Sequence, residues 1–516
     1  MRRAALLIAL LIAAPATAQS VVTSDHVDGV SVTLYRDPMR GQGAMDPRWP
    51  GGYALITETR TIAVPAGRAV LRFEGVAQGM LPETAIVTGL PRGVVEKNRD
   101  ARLLSPAALI DAYLKRRVTI RRTNRKTGKV TVGDAIIESG PDGGVLLTTA
   151  NGVEALGCSG LPERLSYPGV PADLAARPTL SVVTDSPSAK TVTVQLSYLA
   201  QGFDWAANYV VRVAPDGQTL DLFAWLTIAN GGSEGFSGAH TQAVAGGLHR
   251  EAAADLPEGP TPDLHLQCWP MDITSTHDKW SIAQLSLPKS GRPDVAGEGY
   301  DIIVTANRRV ETFMSAPVAI TTISSAMIAQ QEDLGDLKLY RIPEPVTVAA
   351  RSRKQVAMID RSAVPFEAVY VGQFNERGGD SAPTALILRV QNSEADHLGL
   401  PLPAGGVAVF EPRADTPLLV GESALGDRAI GEEVEFGAGS SAGVRYQITA
   451  LPSVKRKRPY RITVTSARAA SANFEIAFPA RKVSTVTPLI ERKGRKTWRV
   501  AVPANGQATI DVTIDN

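Results

Sequence analysis

Few positions in this 516-residue chain have the residue types and spacing that chemistry needs. Gly231-Gly232-Ser233-Glu234-Gly235 fits the G-x-S-x-G pattern, in which a serine on a sharp strand-to-helix turn offers its hydroxyl as a nucleophile. A strand pattern precedes it (Leu222–Ala229), but Phe236-Ser237-Gly238-Ala239-His240 holds no helix start, so the segment reads as a hairpin turn. Asp204 and His240 could be imagined as partners of Ser233, and nothing in their spacing requires it. The six histidines are His26, His240, His249, His265, His277 and His397, without an H-E-x-x-H motif. His265-Leu266-Gln267-Cys268 with His277 and Asp278 is only a loose cluster, whereas a metal needs three or four converging ligands. Walker, dinucleotide-binding and EF-hand loops are missing from the sequence, and its acids are too scattered to name a glycosidase pair. The reading is no metal, no cofactor and no enzyme, with a serine hydrolase acting through Ser233 as the rival.

The strongest charge feature is basic. Lys115, Arg116, Arg117, Arg121, Arg122, Arg125, Lys126 and Lys129 fall within fifteen positions that contain no acid. Such a run suits anionic lipid head groups or the phosphates of a glycan; the plainer reading is a solvated two-strand ribbon protected from edge pairing. Residues 1–18 read as an export signal: Arg2 and Arg3, the apolar stretch Ala4–Ala14, Pro15, then Ala16-Thr17-Ala18. That stretch is shorter than the ~20 residues a membrane-spanning helix needs. Cleavage near Ala18 leaves a periplasmic, outer-membrane-associated or secreted chain with no transmembrane segment. The leader's two arginines are part of 54 basic residues against 52 acidic ones, so the mature chain is neutral, which argues against a nucleic-acid partner. The expected partner is an envelope protein or an anionic lipid or glycan. Cys158 and Cys268, the only two cysteines, form a possible disulfide, with two buried thiols as the alternative.

The elements that must hold these residues are mostly strands. Gly29–Tyr35, Val70–Phe73, Thr191–Tyr198, Asn208–Val213, Ala385–Gln391, Val444–Ala450, Tyr460–Thr465 and Thr509–Ile514 are β-prone stretches, and Pro215-Asp216-Gly217, Asn230-Gly231-Gly232 and Asn505-Gly506 punctuate them. The clearest helix is Ser105–Arg117, with Ser105 as N-cap and Pro106 first in the helix. After it, Val118–Arg122, Lys126-Thr127-Gly128-Lys129, Val130–Glu138 and Gly144–Ala150 read as four short strands with tight glycine turns, resembling an SH3-like or Sm-like small barrel near 105–160. The expected fold is mainly β: multi-domain antiparallel Ig-like sandwiches after an N-terminal β region with one short helix and the small barrel. Expected boundaries are 1–18 signal, 19–184 N-terminal region, 185–285 middle sandwich, 286–336 loop or insertion and 337–516 C-terminal sandwich.

Several passages carry a family likeness. Leu196-Ser197-Tyr198-Leu199-Ala200-Gln201-Gly202-Phe203-Asp204-Trp205-Ala206-Ala207-Asn208-Tyr209, Phe223-Ala224-Trp225-Leu226-Thr227-Ile228-Ala229-Asn230 and Gln242-Ala243-Val244-Ala245-Gly246-Gly247 come first. Lys354-Gln355-Val356-Ala357-Met358, Leu400-Pro401-Leu402-Pro403-Ala404-Gly405-Gly406-Val407-Ala408-Val409-Phe410 and Leu419-Val420-Gly421-Glu422 follow. Together they resemble the bacterial exported family of domain of unknown function 4139, related to mucoidy-inhibitor-like envelope proteins, over most of residues 100–516. The resemblance implies an exported, mostly β protein of unestablished biochemistry. The long coiled coil of many relatives is absent, so any role it carries does not transfer. Read as residues, Tyr198, Trp205, Tyr209 and Trp225 are sheet-locking aromatics; the other reading is a carbohydrate-binding module built on Trp205 and Trp225. A local likeness of Asp301–Ala306 and Ala316–Ile323 to the plug start of TonB-dependent receptors implies a segment that could pair by strand addition. The function that fits best is a non-catalytic binding or assembly scaffold of the cell envelope.

Overall fold

The computed structural model describes residues 20–41, 45, 50–100, 103–140, 144–159, 161–171, 174–246, 328–334, 337–413, 416–453, 457–479 and 481–515. Over these residues the chain is mainly β, with one α-helix at Pro106–Ala112. The alternating stretches form strands, some longer than their pattern: Thr191–Tyr198 lies inside Lys190–Gln201 and Val444–Ala450 inside Glu433–Ala450. The added part of the second holds Gly437-Ala438-Gly439, small residues that weaken a strand but let two backbones cross. A Cβ on Gly421 of the strand Thr416–Leu425 would stand 2.6 Å from the Gly439 nitrogen. The helix is shorter than its pattern because Lys115 turns the chain with φ +59° and donates its N–H to Ile137 O, so that a strand begins at Arg117.

The described chain divides into two compact units, one drawn from residues before 102 and after 176, the other from residues 103–176. In the first, Tyr53–Val64 lies between Gly29–Tyr35 and Lys190–Gln201, and Gly29–Tyr35 pairs on its other side with Phe236–Ala245. A four-stranded sheet (Ser20–Ser24, Gly67–Glu74, Thr179–Ser186, Glu96–Asp100) and a five-stranded one (Ser352–Pro365, Thr219–Asn230, Phe203–Val213, Gly405–Arg413, Thr416–Leu425) share its core. Strands from before residue 75 are thus completed by strands from after residue 178. The sheets are not purely antiparallel: Ser20–Ser24 with Gly67–Glu74, Phe203–Val213 with Gly405–Arg413, Phe236–Ala245 with Gly29–Tyr35 and Glu367–Gln373 with Ala472–Ala477 run parallel. Long connections between sequence-distant strands permit this, whereas a hairpin would not.

The large aromatics build this core. Tyr198, Trp205 and Tyr209 are buried, and each places its polar atom: Tyr198 OH donates to Glu58 (2.7 Å), Trp205 Nε1 to Val244 O (3.1 Å) and Tyr209 OH to Pro403 O (2.7 Å). The Leu400–Gly406 run leads into the strand Gly405–Arg413, where a Cβ on Gly405 would meet Ala207 O at 2.0 Å. Glycine is required there by backbone contact.

A nine-stranded sheet in residues 367–515 carries its own core around Phe474, Trp498 and Ile462. On it sits an ion cluster that no motif announces. Arg389 and Glu475, both buried, join by two hydrogen bonds of 2.9 and 2.8 Å. Arg389 also reaches Glu435 (3.1 Å), Glu433 pairs with Arg492, Lys493 with Glu435, and Arg499 with Glu367. Four carboxylates face four cations.

Candidate functional site

The basic run lies in the second unit. Ser105 Oγ accepts the Ala108 N–H (3.1 Å) and starts the helix; Tyr113 at its end exchanges hydrogen bonds with Gly169 (2.9 and 3.2 Å). Five strands follow, in the order Gly152–Ala155, Leu146–Thr149, Val130–Ile137, Arg117–Thr123, Glu163–Ser166. Lys126–Lys129, expected as a strand, is a turn, and Gly152–Ala155 and Glu163–Ser166 are strands beyond those expected. No pairing between the two edge strands is recorded among the described residues, so this is an open, curled sheet and the closed small barrel expected near 105–160 is corrected. Its core is small (Ile110, Tyr113, Val118, Ile120, Ala135, Ile137, Val145, Leu147, Leu156). A sheet with so few buried residues gains from extra staples. Cys158 is disulfide-bonded; Cys268, the chain's other cysteine, lies outside the described residues.

Alternation along Arg117–Thr123 divides the run. Val118 and Ile120 face the core, and Arg122 follows them inward. Arg122 Nε donates to Glu163 (2.6 Å) on the neighbouring edge strand, and Arg122 also bonds Glu154 on the opposite edge strand. One guanidinium therefore pins both edges of the curled sheet. Burial pushes the Glu163 carboxyl up, but hydrogen bonds from Ser159, the Gly157 N–H and Arg122 outweigh it and leave the group below the usual range. Lys115 bonds Glu138, and Arg117 pairs with Asp134 (3.1 Å). These three members of the run hold the structure.

The other five do not. Arg116, Arg121, Arg125, Lys126 and Lys129 are exposed, and no carboxylate pairs with any of them among the described residues. Arg125, Lys126 and Lys129 sit at a hairpin tip closed by Asn124 N–H to Lys129 O (2.9 Å), with Asn124 Oδ1 accepting from Lys126 N (2.9 Å) and Gly128 at φ +67°. The Asn-x-x-x-Gly chemistry is what makes so tight a turn possible between charged residues. Arg121 pairs across the sheet with Arg164 on one side and Val132 on the other. Residues opposite one another on antiparallel strands share a face, so this outer face holds two adjacent unneutralised arginines. Val130, Val132, Leu146 and Val153 lie on the same face, with Val132 61% and Val153 62% exposed. Arg164 was invisible in the sequence, since it stands apart from the run and only strand pairing brings it beside Arg121. The valines had a signal, the alternation Val130-Thr131-Val132.

The other sequence candidates are not assembled. Gly231–Gly235 joins two strands of different sheets, Thr219–Asn230 and Phe236–Ala245, so it is neither the strand-to-helix elbow nor the hairpin turn read from sequence. Its form is fixed by Asn230, whose side chain takes the Gly232 N–H (2.9 Å) and donates to Glu234 O (2.8 Å). Ser233 Oγ is buried with no hydrogen-bond partner among the described residues, and His240 is an exposed strand residue opposite Ser31. Asp204 is spent elsewhere, accepting from Asp37 N (3.1 Å) and Trp205 N (2.8 Å) and pairing with Arg40; burial pushes it up to about 6. Trp225 is half-buried and edge-on to Phe223 at 4.7 Å, while buried Trp205 is unavailable to a sugar. No group of three or more potential metal ligands occurs among the described residues. Residues 1–18, His265, Cys268, His277, Asp278 and 301–323 lie outside them.

No protein-family model matches the chain, and no curated protein matches it.

Proposed function

We propose that this is an exported envelope protein of the domain-of-unknown-function 4139 kind that works by binding and not by catalysis, docking to an anionic partner through the outer face of residues 117–166. The carrying observation is the pair Arg121 and Arg164, opposite one another in the sheet, with no carboxylate paired to either among the described residues and the nearby Asp134 paired with Arg117. Like charges directly opposite weaken a sheet, and a bound anion reverses that cost. Exposed Arg116, Arg125, Lys126 and Lys129 widen the cationic area. Among the described residues no helix is long and apolar enough to cross a membrane. Among the described residues the Ser233 hydroxyl has no base within hydrogen-bond reach.

Retention on immobilised heparin tests the reading. Wild-type protein should elute at higher salt than R121E/R164E, and R461E, which breaks an exposed pair with Asp511 on the nine-stranded sheet, should elute like wild type. Equal elution of wild type and R121E/R164E contradicts it. A fluorophosphonate that labels wild type but not S233A would favour the hydrolase instead.

A further inference from the structure

We infer that the outer face of residues 117–166 seats on the surface of a bilayer carrying anionic phospholipid, with a head-group phosphate taken between Arg121 and Arg164 and the neighbouring valines entering the acyl boundary. This rests on the docking reading and adds the kind of partner.

Three features of the face point the same way. Arg121 and Arg164 are register partners, which places their Cβ atoms about 4.5–5.5 Å apart. Two guanidinium forks at that spacing can both donate to the oxygens of one phosphate. Asp134, on the same face, is already paired with Arg117, so the net charge there is positive. The row Arg164, Arg121, Val132 then ends in an apolar side chain and Val130 follows opposite Thr123, while Val153 and Leu146 stand on the same face toward the other edge of the sheet, beyond Asp134 and Thr148. All four apolar residues are exposed. A soluble polyanion would be satisfied by the cations and would leave these valines in water. A membrane interface takes both, because apolar burial and attraction to anionic lipid add together. The hairpin tip with Arg125, Lys126 and Lys129 adjoins Val130, so the charges border the apolar patch as head groups border acyl chains.

The test compares wild type, R121Q/R164Q and V132S/V153S in sedimentation with two kinds of vesicle: phosphatidylglycerol mixed with phosphatidylcholine, and phosphatidylcholine alone. Heparin retention is measured in parallel and melting temperatures verify folding. Wild type should bind the mixed vesicles and not the neutral ones. R121Q/R164Q should lose roughly fivefold per charge removed. V132S/V153S should lose vesicle binding several-fold while keeping wild-type heparin retention. Binding of V132S/V153S equal to wild type, or heparin retention without vesicle binding, overturns the bilayer and leaves anion docking standing. Failure of wild type on both heparin and mixed vesicles overturns the docking reading itself.

Discussion

Around Arg389 and around Arg121 the chain sets charged side chains on neighbouring strands, and it spends them in opposite ways. The Arg389 cluster is balanced and closed: its central pair is buried and each of its acids meets at least one cation. The Arg121 face is unbalanced and open, with Arg121 beside Arg164 and, among the described residues, no acid paired to either. The same residue types therefore mean cohesion in one place and an unmet need in the other. Basic density in sequence does not separate the two cases, because Arg122, next to Arg121, is a cohesion residue bonded to Glu154 and Glu163.

The comparison breaks most visibly at its buried end. Arg389→Met should cost about 3 kcal/mol in denaturant unfolding, because buried Glu475 would lose its two hydrogen bonds and keep only its longer contacts with Arg492 (3.5 Å) and Arg499 (3.4 Å), while the double change R389M/E475L should recover most of that loss. A loss under about 1 kcal/mol would place the cluster with surface pairs. A second test uses acid. Burial pushes the Asp204 carboxyl up to about 6 from an unfolded value near 3.8. The fold then holds this proton more tightly than the unfolded chain, so the contribution of the group is fully present below about 3.8 and is lost as pH rises through 6. About 3 kcal/mol is at stake, and D204N should remove that slope between pH 4 and 6. Glu435 has the opposite sign. Burial raises it, but Lys493 and Arg389 more than compensate and hold it below the usual range, so its contribution is present at neutral pH and is lost as acid protonates it.

Within the basic run the contrast sharpens. Arg122→Met should destabilise residues 103–171 by about 1–3 kcal/mol, read by calorimetry or limited proteolysis, since nearly buried Glu163 loses its cation. Arg164→Thr should do the reverse and raise stability by about 0.2–1 kcal/mol, because a like-charge pair disappears. Equal destabilisation by both changes would show that the face is built for cohesion after all.

The fold class was legible because period-two alternation and turn residues are local: Gly29–Tyr35 emerged with its bounds and Ser105 capped its helix. Strand partners were not, since Tyr53–Val64 joins Lys190–Gln201 across a gap no local pattern encodes. The helix end was missed because Lys115 adopts a left-handed turn that Gly or Asn more commonly marks. At the candidate site the run itself was readable. Its division into inward Arg122 and outward Arg121 needed the register, and Arg164 needed the pairing.

Hydrogen exchange of the intact protein, with and without phosphatidylglycerol-containing vesicles, tests the central claim most directly. Slowed exchange confined to Arg117–Val132, Leu146–Val153 and Glu163–Ser166, with Gly379–Gln391 and Ala472–Ala477 unchanged, is the expected result. Protection that appears around Arg389 instead, or at neither place, contradicts it.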